Sequence, residues 1–348
     1  MEKNILDARV KYSRMVKESK NRAKQKKCLW CGKTITRFCN SHSVPRCIID
    51  NIDINGKLDY FNIMVNIPIL NQEKGLNEAG TFKLLCRECD SKIFQDYESV
   101  EALLNVPNEK MLEEIALKNN LMMLNKRFFE VELNKTVKDE YSKRFRYDYR
   151  QKIKSLDEKD FWFDYERIKQ MMLNDDQNEE KYNLILGKKL DYVVPIAFQG
   201  LVTLYGDLEG NLVSNIYDDD ENIIISHIHI CVFPMKEQSV VFAFYHNKDS
   251  EFDGFSEQFN KLPDDKKLQM IAYLVFEYNE EFFLAPKFPH RTWMINKMKD
   301  TFRDTSIIIG TSEEHIKYQK ESQLKRLSNI DKNFPCILDE KFSLKTSV

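Results

Sequence analysis

The chain has 348 residues, of which 42% are apolar and 12% aromatic, so it can bury packed cores and is not disordered throughout. Its 53 basic and 55 acidic residues nearly cancel, and the net charge of −2 indicates no particular partner. No apolar run approaches the length of a membrane span, and residues 1–27 are too charged for a secretory signal. Eight cysteines are too few for a disulfide scaffold, so we expect a cytoplasmic protein.

Residues 1–27 form the first predicted element, a basic N-terminal helix with ten basic and three acidic residues. Such a segment is either a solvated helix or an arm that contacts nucleic-acid phosphates, because clustered cations release counterions from the backbone. The predicted nucleic-acid-binding residues are Lys20, Arg22, Lys24, Lys26, Lys27 and Arg46.

Residues 28–104 contain two CxxC pairs, which predict a zinc-binding module. Cys28 and Cys31 form the first pair, and Cys86 and Cys89 form the second. Four thiolates arranged in two such knuckles suit a single tetrahedral Zn²⁺ ion with a structural role. Cys39 and Cys47 lie between the pairs and are alternative ligands.

The segment between the pairs contains Phe38-Cys39-Asn40-Ser41-His42-Ser43-Val44-Pro45. A CxxC pair, a His followed by an apolar residue and Pro, and a second CxxC pair with a polar residue after it resemble the HNH nuclease motif. The resemblance covers about 70 residues, and it implies a ββα-metal fold that is often stapled by a four-cysteine zinc.

The resemblance also implies site residues. His42 matches the general base, and a neutral imidazole can accept a proton from water near pH 7. Asp90 matches a ligand of a catalytic Mg²⁺ or Mn²⁺ ion, whereas Ser41 stands where the family has a metal-binding Asp. Asn77 is the candidate for the Asn that orients the His. Glu98 is predicted on the same helix as Asp90, where it could add a second carboxylate.

The rest of the chain predicts an α+β protein. Residues 105–182 have helical periodicity, and residues 183–348 predict a mainly antiparallel β domain with flanking helices and a terminal helix. The predicted strands and helices are Tyr192–Phe198, Leu201–Tyr205, Leu212–Ile216, Ile223–Phe233, Val240–Tyr245, Asp264–Glu277 and Glu313–Ser328.

Three histidines fall on the predicted strands. His227 and His229 are two residues apart, so their rings point to one face of a strand, and His246 could join them from a neighbouring strand. This trio indicates either a metal site or a polar face of the sheet.

The resemblance therefore predicts an HNH-like, metal-dependent endonuclease that acts on DNA or RNA, with a homo-oligomer or a regulatory partner compatible with the sequence. By analogy, such a module joined to a large domain resembles phage-defence or restriction effectors of prokaryotes. Two alternatives stay open: a non-catalytic zinc-finger protein that binds nucleic acid or acts as a sensor, and an effector whose β domain binds a small molecule.

Overall fold

The computed structural model describes residues 2–64, 67–75, 80–105, 107–141, 147–174, 179, 181–218, 220–279, 281–286, 288, 291–293, 313–330 and 334–344. The described α-helices are α1 (Glu2–Arg22), α2 (Arg46–Ile49), α3 (Arg87–Ile93), α4 (Glu109–Tyr141), α5 (Tyr147–Leu173), α6 (Asp253–Asn260), α7 (Asp264–Tyr278) and α8 (Glu313–Leu324). The strands are β1 (Ser41–His42), β2 (Lys57–Met64), β3 (Ile67–Gly75), β4 (Thr81–Phe82), β5 (Tyr182–Leu190), β6 (Ile196–Val202), β7 (Ile228–Pro234), β8 (Ser239–His246) and β9 (Glu281–Leu284).

The described strands form two sheets with antiparallel pairings. A two-stranded sheet consists of β1 and β4, and a seven-stranded sheet has the order β3-β2-β9-β6-β7-β8-β5. The prediction of a mixed protein with a helical middle and an antiparallel sheet is thus confirmed. The larger sheet takes β2 and β3 from the predicted zinc module and its other strands from the second half of the chain. The boundaries of the predicted domains stay a prediction.

Several predicted strands are shifted. The segments predicted at 192–198 and 201–205 are replaced by one strand, β6, which runs through Gly200. A Cβ atom on Gly200 would lie 2.8 Å from the Phe198 ring and 3.2 Å from the Asn279 Oδ1 atom, so glycine here permits close packing and does not mark a turn. The predicted strand at 212–216 is wrong, because this segment folds back and donates backbone hydrogen bonds to Leu204 and Tyr205.

Two of the described strands in the second half of the chain were not predicted. β5 carries Gly187, Lys188 and Lys189, which weaken its strand pattern, and β9 has only four residues. The helix α7 is confirmed close to its predicted bounds: Pro263 precedes it, and Asp264 and Asp265 lie in its first turn, where negative charge is favourable.

The long helices α4 and α5 lie side by side, and α4 packs against the larger sheet. The α4 turns that contact the sheet bury polar side chains as well as apolar ones. Glu113, Glu114, Lys118, Asn119 and Asn120 are each 5% exposed or less. Because buried polar groups need partners, this layer is a place to search for a functional site.

Candidate metal centre and the His42 site

The four predicted zinc ligands come together. The sulfur atoms of Cys28, Cys31, Cys86 and Cys89 all lie within 4.8 Å of one another. A tetrahedral Zn²⁺ ion with Zn–S bonds of about 2.3 Å needs four thiolates in such a cluster, so these residues fit a structural zinc ion. Among the described residues, no other group of three or more His, Cys, Asp or Glu side chains is close enough to hold a metal ion.

Local backbone structure forms both knuckles. In the first, the Gly32 N–H donates to the Cys28 carbonyl over 2.9 Å, and Gly32 has a φ of +71°, which favours glycine. In the second, Cys86 caps α3, and its sulfur accepts a hydrogen bond from the Cys89 N–H over 3.5 Å. The chain therefore presents the cysteines at a tight turn and at a helix N-terminus.

The thiols differ in their environment. A hydrogen bond from the backbone N–H of Lys33 lowers the pKa of exposed Cys31 to about 7, whereas burial raises the pKa values of Cys28 and Cys89. Zinc binds the thiolate form, so loading the centre releases protons. Cys39 and Cys47, the alternative ligands, are not part of the cluster.

The candidate zinc centre is attached to the helical layer. The Tyr165 hydroxyl of α5 donates to the Leu29 carbonyl over 2.7 Å, and the ammonium of Lys169 lies 5.8 Å from the centre of the Trp30 ring. The Leu29 N–H also donates to the Leu84 carbonyl over 3.0 Å, which joins the two knuckles. These contacts hold residues 28–31 between α5 and the segment that leads into α3.

His42 lies on β1, eleven residues after Cys31 of the candidate zinc centre. It pairs with Thr81, while Ser41 pairs with Phe82, and α3 begins five residues after β4. The side chain of His42 is half-buried. Two strands followed by a helix that begins at the second CxxC pair are therefore present around the predicted general base. The predicted orienting residue, Asn77, lies outside the described residues.

Asp90 in α3 contacts the residue beside His42. The Ser41 hydroxyl donates to Asp90 Oδ1, and the Cys39 thiol donates to Asp90 Oδ2 over 3.1 Å. Burial and the neighbouring carboxylate raise the pKa of Cys39 to about 11, so this thiol carries the proton that it donates. Each carboxylate oxygen of Asp90 thus accepts a hydrogen bond from the β1 side of the module.

The prediction that Glu98 shares a helix with Asp90 is wrong, because α3 ends at Ile93. Glu98 instead forms an ion pair with Lys118 of α4. The Lys118 side chain is 1% exposed, and its ammonium lies 4.1 Å from the centre of the Phe94 ring. Burial lowers the pKa of Lys118 to about 8, while the nearby Asp90 carboxylate favours the charged form.

Sequence reasoning missed Lys118. The residue lies in a run of the helix that is otherwise rich in apolar side chains, from Ile115 to Leu124. A lysine within such a run is the one sequence feature that could have indicated a buried charge. Because lysine is almost never fully buried without a partner, it would also have indicated a nearby carboxylate.

The predicted nucleic-acid-binding residues are all exposed. Lys20, Arg22 and Lys24 lie at the end of α1 or just after it, Lys26 and Lys27 precede the first knuckle, and Arg46 begins α2. Some have local partners: Arg22 donates to the Thr136 hydroxyl over 3.4 Å, and Arg46 lies 3.6 Å from the Asp50 carboxylate.

Comparisons with protein-family models, curated proteins and solved structures return no match to this chain. A search of the described helices for a segment long and apolar enough to cross a membrane also finds none. The chemistry of the side chains is therefore the basis for a functional assignment.

Proposed function

We propose that this chain is an HNH-like endonuclease that hydrolyses nucleic-acid phosphodiester bonds at His42. The observation that carries the proposal is the arrangement around the candidate zinc centre. The strand with His42 pairs with β4, and the helix that follows begins at Cys86 and presents Asp90 to Ser41. Two paired strands and a helix are what the resemblance implies, although α2, β2 and β3 lie between β1 and β4 in the chain.

His42 is the proposed general base. A half-buried imidazole keeps a route to solvent, and its neutral form can accept a proton from the water that attacks phosphorus. The P–O bond to the leaving oxygen then breaks, and that oxygen takes a proton from solvent. The exposed basic residues from Lys11 to Arg37, which lie on both sides of the first knuckle in the chain, would attract the phosphate backbone. A role in phage defence or restriction stays a prediction.

The residues around Asp90 do not fit the Mg²⁺ or Mn²⁺ ion that the resemblance implies. Such ions prefer several oxygen ligands that carry negative charge. Here Ser41 offers a neutral hydroxyl that donates its proton to Asp90, and Cys39 occupies the other carboxylate oxygen. No step of the proposed reaction is therefore assigned to a divalent ion.

The test is cleavage of supercoiled plasmid, single-stranded DNA and RNA by zinc-loaded protein, each with and without added Mg²⁺ or Mn²⁺. We expect cleavage of at least one substrate, and a loss of about 10²-fold or more in rate for His42→Ala, because a positioned base contributes that much. Thr36→Ala, an exposed change in the same module, should cleave at the wild-type rate.

Zinc content and circular dichroism establish that His42→Ala is folded. Full activity of the folded His42→Ala variant would contradict the assignment of the base. No cleavage of any substrate by the wild-type protein would contradict the nuclease proposal itself.

A second candidate function is nucleic-acid binding without cleavage. It is favoured by the hydrogen bonds that occupy both oxygen atoms of Asp90, together with the exposed basic residues beside the first knuckle. This candidate predicts salt-sensitive binding to DNA or RNA in a protein that leaves every substrate intact, and no change in binding for His42→Ala.

A further inference from the structure

The carboxylate of Asp90 lies between two kinds of partner. From the β1 side it accepts hydrogen bonds from Ser41 and from Cys39. On the α4 side, the ammonium of Lys118 lies over the ring of Phe94, which follows Asp90 by one helical turn, so its charge lies near this carboxylate although its ion pair is with Glu98. An anion held in this way has no oxygen atom left without a donor.

Lys118 is an unusual residue in its setting. Its side chain is 1% exposed, it forms an ion pair with Glu98, and its ammonium lies over the ring of buried Phe94. Taking an ammonium out of water is costly unless carboxylates and aromatic faces replace the lost hydration. The surroundings of Lys118 supply both, in the carboxylate of Glu98 and the ring of Phe94.

We propose that the buried ammonium of Lys118, and not a divalent metal ion, supplies the positive charge opposite Asp90. Asp90 then acts as a fixed anion that holds Ser41, and with it the β1 strand that carries His42. Asp90 and Lys118 are positioning residues in this account, because neither is assigned a contact with substrate. The inference rests on the proposed function, since it concerns the same site, but its test does not require activity.

A divalent ion at Asp90 would meet the like charge of Lys118, whose burial limits the screening of that charge by water. It would also have to displace the protons that Ser41 and Cys39 donate to the carboxylate. Both effects oppose metal binding, and both can be removed by substitution. Lys118→Met removes the ammonium while it keeps an unbranched side chain, and Ser41→Asp restores a carboxylate beside Asp90.

The probe is Mn²⁺ alone, added to zinc-loaded protein and followed by electron paramagnetic resonance of the free ion. We expect the wild-type protein to show no saturable Mn²⁺ site that depends on Asp90. The double variant S41D/K118M should gain one such site and bind Mn²⁺ at least about tenfold more tightly than S41D/K110M does. The control S41D/K110M, which removes an exposed lysine of the same helix, should gain less.

Saturable Mn²⁺ binding by the wild-type protein that Asp90→Asn abolishes would overturn the inference. Equal binding by the two folded double variants would overturn it as well, because the charge of Lys118 would then not oppose the metal. If S41D/K118M does not fold, the comparison of wild-type protein with Asp90→Asn still decides the question. Absence of cleavage under every condition would contradict the nuclease proposal and leave this binding result standing by itself.

Discussion

At the scale of single residues, the three histidines of the predicted strands show what alternation can and cannot predict. His227 lies 3.0 Å from Asp164, His229 lies 3.2 Å from the Asn119 amide, and His246 lies 3.3 Å from Arg167. His229 and His246 lie on β7 and β8 as predicted, but the placement of His227 on a strand is wrong, because β7 begins one residue after it. The spacing could not indicate that side chains of α4 and α5 would pair with these rings, because those residues come from more than 60 positions earlier in the chain. Each ring has its own partner, and the three do not form a metal cluster.

The burial of His229 predicts a pH dependence of stability. Burial lowers the pKa of His229 to about 3, and the charges of His227, Arg167 and His246 act in the same direction, against Asp164. In the unfolded chain this pKa returns to about 6.5, so acid protonates the unfolded state first and favours unfolding. Between pH 7 and pH 5 this residue alone should lower the free energy of unfolding by about 2 kcal/mol.

The measurement is urea unfolding at pH 7 and pH 5 for the wild-type protein and for His229→Gln. The Gln side chain offers an acceptor to Asn119 but does not titrate. The wild-type protein should therefore lose about 2 kcal/mol more than the variant over this interval. An equal loss in both proteins would show that His229 is not held in its neutral form.

At the scale of elements, α1 packs against α4 and also carries an excess of basic residues. Met15 and Ser19 are buried, and the Ser19 and Thr136 hydroxyls are 3.1 Å apart, so the helix packs on α4. Its charge could be predicted by counting residues. The packing of α1 on α4 could not be predicted in this way. Its buried face consists of Met15 and Ser19 with half-buried Val16, and this stripe is too narrow to indicate a partner helix. The packing leaves the basic side chains of residues 11–37 at the surface, where ten basic residues face one acid.

The exposed lysines after α1 predict salt-dependent binding to nucleic acid. The triple variant K24Q/K26Q/K27Q should bind DNA or RNA more weakly, since each lost phosphate contact removes about 0.9 from the slope of log affinity against log salt for a duplex. A full loss of three contacts lowers the slope by about 2–3. Fluorescence anisotropy over a range of salt concentrations measures this change.

The matched control is K248Q/K261Q/K266Q, which removes three exposed lysines from the other half of the chain. It should keep the wild-type affinity and slope. Equal weakening by the two triple variants would show that net charge, and not the surface formed by residues 11–37, attracts the polyanion.

At the scale of the whole molecule, distant parts of the chain join in one sheet. β2 pairs with β9 through Asp59–Asn62 and Glu281–Leu284, and the Tyr60 hydroxyl donates to Glu281 over 2.6 Å. The apolar residues between Leu58 and Leu70 indicate an extended segment around β2. The sequence could not predict the partner, because a pairing across more than 200 residues has no local sequence pattern. The zinc ligands were predictable for the opposite reason, since each CxxC pair is a local motif.

The candidate zinc ion is the part of the account on which the position of His42 most depends. It would join the segment after α1 to the start of α3, and α3 in turn presents Asp90 to the β1 strand. Without it, the two knuckles would be held mainly by backbone hydrogen bonds such as the one from Leu29 to Leu84.

X-ray absorption at the zinc edge on the purified wild-type protein, combined with its metal content, tests this claim most directly. The account predicts about one zinc ion per chain with four sulfur ligands at about 2.3 Å, and loss of that ion in Cys86→Ser. A folded protein without zinc, or a zinc ion with nitrogen or oxygen ligands in place of sulfur, would contradict it.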